Sequence, residues 1–205
     1  MSFEKWLTQT KPLMPVIVLD DTKYAVPLAK ALMAGGVKFL EVTLRTEAAL
    51  DCITILRNEM PDAIVGAGTI ATPDDLENVK KAGAMFAISP GISPELCKKA
   101  KELALPFLPG VMTPSDVITG LQYGINGFKF YPAEAAGGVK MLKALGGPFA
   151  EVWFCPTGGI NSQNSAQYLA QSNVRIVGGS WVCPPDLIVN EDWQAIEKLA
   201  ADFQF

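Results

Sequence analysis

IVGAGTIATPDDLENVKKAGAMFAISPG, residues 64–91, carries one complete unit of the fold. It opens on a short apolar run ending in Gly68 and Thr69 and closes on a second such run, FAISPG, residues 86–91. Between them Thr72-Pro73-Asp74-Asp75 reads as a helix start. A capping hydroxyl comes first, then proline at the first helical position, then carboxylates at the positive end of the helix dipole. Gly83 stands where a helix C-cap belongs. A strand, a helix and a second strand joined this tightly form the crossover unit of a parallel sheet.

The unit recurs along the chain. Further candidate strands are residues 15–20, 39–44, 107–111, 128–132, 151–159 and 174–179, with starts spaced by roughly 20 to 25 residues. Ser93-Pro94-Glu95 and Thr113-Pro114-Ser115-Asp116 repeat the helix-start pattern, and Gly124 repeats the stop. Eight strands alternating with eight helices predict an α/β protein, a single (β/α)8 TIM barrel over residues 1–205 rather than an open doubly wound sheet. An additional N-terminal helix around residues 2–9 is placed to plug the bottom of the barrel. No linker or shift in composition marks a second domain.

Composition narrows the function. Apolar residues make up 49% of the chain and charged residues 19%, which excludes a disordered protein. A net charge of −4, with lysine pairs 80–81 and 98–99 on helix faces, argues against a nucleic-acid partner. The opening MSFEKWLTQTKP lacks the apolar core of a signal peptide, and no run reaches the ~18 apolar residues of a membrane span. A cytoplasmic protein with no membrane partner is expected, its four cysteines reduced, since Cys52, Cys97, Cys155 and Cys183 form no CxxC pair. The chain has no histidine, so it lacks the commonest general base and the commonest metal ligand. Its chemistry must run on Glu, Asp, Lys, Tyr or Cys, with no metal and no cofactor expected.

In a barrel of this kind function collects at the C-terminal ends of the strands. Along FLEVTLR the alternation of faces sends Leu40, Val42 and Leu44 toward the helices and Phe39, Glu41, Thr43 and Arg45 toward the interior and its mouth. Along GFKFYPAE, residues 127–134, Phe128 and Phe130 face the helices, so Lys129 points into the same interior as Glu41 and Arg45. A buried ion pair filling the barrel is one reading. A nucleophilic amine is the other: burial and a nearby cation favour the free base, while an adjacent carboxylate favours the ammonium.

CPTGGI, residues 155–160, and VGGSW, residues 177–181, follow the last two strands, where this fold places phosphate. Paired glycines let backbone N–H groups close on phosphate oxygens, and Thr157 and Ser180 add hydroxyls. Thr69 and the Ser89-Pro90-Gly91 turn contribute small residues and donors to the mouth. Glu134 lies beyond its strand and reads as structural.

In order and spacing, EVTLRT, GAGTI, SPG, PGVMTPSD, GFKFYPAE, CPTGGI and GGSW resemble the 2-keto-3-deoxy-6-phosphogluconate (KDPG)/4-hydroxy-2-oxoglutarate (KHG) aldolase family, from about residue 14 to residue 182. The resemblance implies a metal-independent class I aldolase, usually trimeric, that forms a Schiff base with a 2-keto acid. It makes Lys129 the Schiff-base lysine and Glu41 the general acid/base. Arg45, Thr69 and the Pro90 region would hold the keto-acid carboxylate, with Tyr131 beside the pyruvyl floor in place of the usual phenylalanine. Met112 stands where a smaller residue is common. Thr157, Gly158, Gly159, Gly179 and Ser180 match the site for the phosphorylated end.

The implied reaction cleaves KDPG to pyruvate and glyceraldehyde 3-phosphate, and KHG to pyruvate and glyoxylate. Three alternatives stay open: the phosphogalactonate-derived substrate, a phosphate-binding isomerase or epimerase without imine chemistry, and a non-catalytic sugar-phosphate binding barrel.

Overall fold

The computed structural model describes residues 3–205. In chain order it begins with α1 (Phe3–Leu7), β1 (Leu13–Ile17), α2 (Ala25–Ala34), β2 (Phe39–Thr43), α3 (Ala49–Glu59) and β3 (Ile64–Gly68). Then come α4 (Pro73–Lys81), β4 (Ala87–Ile88), α5 (Pro94–Glu102), β5 (Phe107–Leu108), β6 (Gly110–Val111) and α6 (Pro114–Gln122). The chain closes with β7 (Gly127–Phe130), α7 (Gly138–Gly146), β8 (Trp153–Pro156), α8 (Ser165–Leu169), β9 (Val177–Gly179), α9 (Pro185–Val189) and α10 (Trp193–Ala201).

Every named strand pairing is parallel. One sheet runs β5-β4-β3-β2-β1-β9 and the other β6-β7-β8. They adjoin through two bridges between the β8 and β9 regions, Phe154 with Val174 and Thr157 with Gly178. On the other side β5 leads into β6 through Pro109.

The sequence reads FLPGV as one strand, whereas the structure divides it. Proline has no N–H to give to a ladder, so β5 pairs with β4, β6 pairs with β7, and the Pro109 carbonyl only accepts, from Lys129 N–H at 2.9 Å. The expected strands at 64–69, 86–91 and 151–159 also end early. Their last residues leave the ladder and turn toward the helices, building the mouth described below.

The helix starts follow the sequence pattern. Thr72 and Asp75 close a capping box on α4, Thr113 and Asp116 on α6, and Ser93 caps α5.

Two apolar layers result from the strand alternation. Leu40, Val42, Phe128 and Phe130 pack outward against the helices. Inward, Met14, Phe39, Ile64, Phe86, Trp153 and Ile176 form a second cluster, closed by Phe3 and Trp6 of α1. The Phe3 ring lies 5.2 Å from Phe86 and 6.2 Å from Trp153, and Trp6 meets Phe39 edge-on at 6.5 Å. The expected N-terminal helix is therefore present, ending at Leu7 and packed on the inner cluster; residue 2 of that expectation lies outside the described residues. Among the described residues no helix is long and apolar enough to cross a membrane.

Candidate active site

Glu41 on β2 and Lys129 on β7 meet above the inner aromatic layer. Lys129 Nζ lies 3.2 Å from Glu41 Oε1, and the two residues are 4% and 1% exposed. Strand alternation points both inward, and the arrangement of the two sheets brings them together across 88 positions of sequence. Room for the carboxylate comes from β3, where a Cβ on Gly68 would sit 2.2 Å from Glu41 Oε1. Tyr131 leaves β7 beside the pair, its ring centroid 5.3 Å from Lys129 Nζ, within cation–π reach.

Cys155 sits on β8 in register with Lys129. Burial, and then the Glu41 charge, push its thiol up to about 12, so it stays neutral beside the amine. The pair is thus enclosed by a glycine, a neutral thiol and an aromatic ring. In such a setting a charge without its partner is costly, and the two groups are energetically one unit.

A cavity of about 210 Å³ adjoins the pair through Tyr131, which lines it; Lys129, Glu41 and Thr69 themselves do not reach its wall. Seven of the predicted residues line it: Arg45, Tyr131, Thr157, Gly158, Gly159, Gly179 and Ser180, with Val16 and Ile160 completing the wall. Arg45 is exposed at the mouth and its Nε donates to Thr69 Oγ1 at 3.2 Å. Thr69 holds φ at +63°, a left-handed conformation unusual for a β-branched residue. Strain of this kind costs about 1–3 kcal/mol and persists where surrounding structure imposes it.

Pro90 is not brought into the cavity wall. It is exposed, in a turn closed by Ser89 Oγ accepting the Gly91 N–H at 3.2 Å. Its carbonyl packs on β6, 2.2 Å from where a Cβ on Gly110 would lie. Met112 is 45% exposed and also stands apart from the wall.

The two glycine pairs differ. Gly158 and Gly159 hold φ at +99° and +81°, the conformation a side chain resists. Gly178 and Gly179 are ordinary strand residues that permit close packing. A Cβ on Gly178 would sit 2.2 Å from Thr157 Oγ1, and one on Gly179 would sit 1.9 Å from the Trp181 ring. Only the first pair is a turn made for backbone donors. Among the described residues no group of three His, Cys, Asp or Glu side chains could hold a metal ion.

Gly68, Cys155, Val16 and Ile160 were not singled out by sequence. For Cys155 the signal was available, because alternation along EVWFCPT puts Trp153, Cys155 and Thr157 on one face. Glu134, read as structural, accepts a hydrogen bond from the Tyr168 hydroxyl.

Comparison with known proteins agrees with this geometry. A family model for KDPG and KHG aldolase matches residues 4–199. The KHG/KDPG aldolase of Escherichia coli (strain K12) is 52% identical over 201 residues, covering 98% of this chain and 94% of that protein. A crystal structure of KDPG aldolase from Legionella pneumophila, with pyruvate captured at low pH as a covalent carbinolamine intermediate, is 47% identical with a TM-score of 0.94 over 97% of each chain. The 2-keto-3-deoxy-6-phosphogluconate aldolase of Zymomonas mobilis ZM4, solved with 3-phosphoglycerate, is 42% identical with a TM-score of 0.90, covering 98% of this chain and 95% of that one. With a buried lysine–carboxylate pair beside a cavity walled by Arg45 and a glycine turn, and with relatives this similar along nearly its whole length, the chain belongs to the KDPG and KHG aldolase family.

Proposed function

We propose that this protein is a class I aldolase that reversibly cleaves KDPG to pyruvate and glyceraldehyde 3-phosphate, and also KHG to pyruvate and glyoxylate. The observation that carries the reading is the buried 3.2 Å contact between Lys129 and Glu41, with Tyr131 between Lys129 and the cavity. A carbinolamine, as held by the Legionella relative, is the adduct an amine forms with a ketone before water is lost.

The contact also accounts for a reactive amine. Transfer of one proton from Lys129 Nζ to Glu41 turns the ion pair into an amine and a carboxylic acid, leaving no isolated buried charge. The amine attacks the substrate C2 ketone, and loss of water gives an iminium. Glu41, again a carboxylate after protonating the departing hydroxyl, takes the proton from the C4 hydroxyl. The C3–C4 electron pair moves into the iminium, so the aldehyde leaves and an enamine remains. Glu41 returns the proton to C3, and water hydrolyses the imine to pyruvate and the free amine. One carboxylate serves each proton transfer in turn.

Arg45, with Thr69 oriented against it, holds the keto-acid carboxylate, and Tyr131 covers the pyruvyl group. The Pro90 turn borders this end without entering the wall. Gly158 and Gly159, with Thr157, Gly179 and Ser180, take the phosphate; the 3-phosphoglycerate held by the Zymomonas relative supports that assignment. The two adjoining sheets are read as one closed (β/α)8 barrel forming a single domain over residues 1–205. Continuity of β5 with β6 and the β8–β9 bridges support this. A homotrimer is supported by the apolar Met112, Ile118 and Leu121 exposed on and beside α6, which an interface would bury. Four free buried thiols support a cytoplasmic location.

Incubation with pyruvate and borohydride, followed by peptide mass spectrometry, tests the chemistry. A reduced pyruvyl adduct is expected on Lys129 and is absent from Lys129→Met. Folded wild-type protein that gains no adduct overturns the reading.

A further inference from the structure

We infer that Glu134 and Tyr168 are a positioning pair that shapes the Thr157–Ile160 turn for the phosphate end of the substrate. The inference rests on the reading of that turn as the phosphate site.

The turn is held from behind. Ala133 N–H donates to the Thr157 carbonyl at 2.8 Å, Glu134 N–H to the Gly158 carbonyl at 3.1 Å, and Asn164 Nδ2 to the Gly159 carbonyl at 2.9 Å. Three successive carbonyls are thus engaged. The N–H groups of Gly158 and Gly159 meet no acceptor among the described residues. With both glycines at positive φ, this is the concave arrangement of donors that takes an anion.

Residues 133 and 134, which do the holding, are anchored by Gly138 N–H on the Ala133 carbonyl at 2.9 Å, by Gly137 N–H on the Glu134 carbonyl at 3.3 Å, and by the Glu134 side chain. It packs against the rear of the turn, its Cγ 2.5 Å from where a Cβ on Gly159 would lie, and it does not line the cavity. Its carboxylate accepts from the hydroxyl of Tyr168 on α8, a residue only 1% exposed. Burial, then the bond to Glu134, raise the Tyr168 hydroxyl well above its ordinary range, so it remains a donor at any working pH. The pair lies over the first turn of α7, since a Cβ on Gly138 would be 3.2 Å from the Tyr168 hydroxyl and 3.7 Å from Glu134 Oε1. A carboxylate is favoured there by the helix dipole. Among the described residues no hydrogen bond or ion pair joins Lys129, Glu41 or Arg45 to either residue.

The effect is therefore confined to one end of the substrate. Loss of the hydrogen bond is expected to raise KM for KDPG about 5- to 30-fold, the factor a charge-assisted bond represents. KM for KHG, which has no phosphate, stays within about twofold. Tyr168→Phe keeps the buried ring and removes only the donor. Glu134→Gln keeps an acceptor but not the charge and should fall between wild type and Glu134→Ala, which should resemble Tyr168→Phe.

The experiment measures kcat and KM for both substrates in the four proteins. It adds the pyruvate–borohydride adduct and calorimetric binding of glycerol 3-phosphate. A selective rise in KM for KDPG, with weaker glycerol 3-phosphate binding and an unchanged adduct, supports the pair. An equal loss on both substrates, no change in Tyr168→Phe, or Glu134→Gln as damaged as Glu134→Ala overturns it. If wild type forms no adduct, the aldolase reading fails separately, and glycerol 3-phosphate binding still decides the role of the pair.

Discussion

Removing one partner of the Lys129–Glu41 contact should cost far more stability than removing both. In Lys129→Met the Glu41 carboxylate, 1% exposed, is left without a cation. In Glu41→Leu the Lys129 ammonium is stranded in the same way. Each single loss is expected at about 3–5 kcal/mol, the cost typical of a broken buried pair. The double variant, Glu41→Leu with Lys129→Met, places two apolar chains of similar volume against Gly68 and Cys155. It should fall within about 1 kcal/mol of wild type or exceed it. Urea denaturation of the four proteins at pH 7, with tryptophan fluorescence and circular dichroism required to coincide, gives the cycle. A coupling energy of about 3 kcal/mol or more is expected. Additivity within about 0.5 kcal/mol would mean that the two groups do not share a desolvated site, and the proton-exchange route to the amine would go with it.

Gly68→Ala puts a methyl group 2.2 Å from Glu41 Oε1, so the carboxylate must move. The expectation is a kcat about 100-fold lower with Lys129 still able to trap pyruvate, and wild-type turnover would contradict it. Thr69→Gly relieves a φ of +63°, releasing about 1–3 kcal/mol of strain against about 0.4–1 kcal/mol of added chain entropy in the unfolded state. Stability should hold or rise while KM for both keto acids increases, because Arg45 Nε loses its hydroxyl partner; a lower stability refutes the strain argument. Burial pushes the Cys155 and Cys183 thiols up to about 12, whereas in the unfolded chain they ionise near an ordinary value of about 8.5. The folded state then binds more protons at high pH. Stability should be flat below about pH 8 and fall between about pH 9 and 11, by up to about 1.4 kcal/mol per pH unit for each thiol. Cys183→Ala should flatten the slope by one such share, and an unchanged slope argues against the assignment.

Much of this was legible because strands obey a period of two. Alternation placed Glu41, Arg45 and Lys129 on one face and Phe128 and Phe130 on the other, and the side chains follow it. Helix starts were equally plain, since proline after a capping hydroxyl is a local signal. What escaped was set by contacts between distant segments. Nothing near Pro109 says that its missing N–H falls where two sheets divide the strand. Nothing near Gly178 distinguishes a glycine needed for a turn from one needed because Thr157 crosses in front of it. The Glu134–Tyr168 bond joins a loop to a five-residue helix 34 positions away, and neither side carries a periodic pattern.

The glycines of the strands explain how one interior can hold both an aromatic floor and a charged pair. Gly66 on β3 faces the Phe86 ring at 2.4 Å from its absent Cβ, and Gly127 on β7 faces Trp153 at 2.3 Å. One step toward the mouth on β3, Gly68 does the same for Glu41. Each empty position lets one large neighbour reach across the interior, so successive levels are filled by few side chains rather than many small ones. The lower level is a cluster of Phe39, Phe86 and Trp153 packed against Phe3 and Trp6 of α1. The level above it lies toward the mouth, where Arg45 and the Gly158–Gly159 turn stand. On the proposed function, a substrate with an anionic group at each end enters by that opening with its ketone toward Lys129. The chemistry of the lysine follows from the space left beside it as much as from the lysine itself.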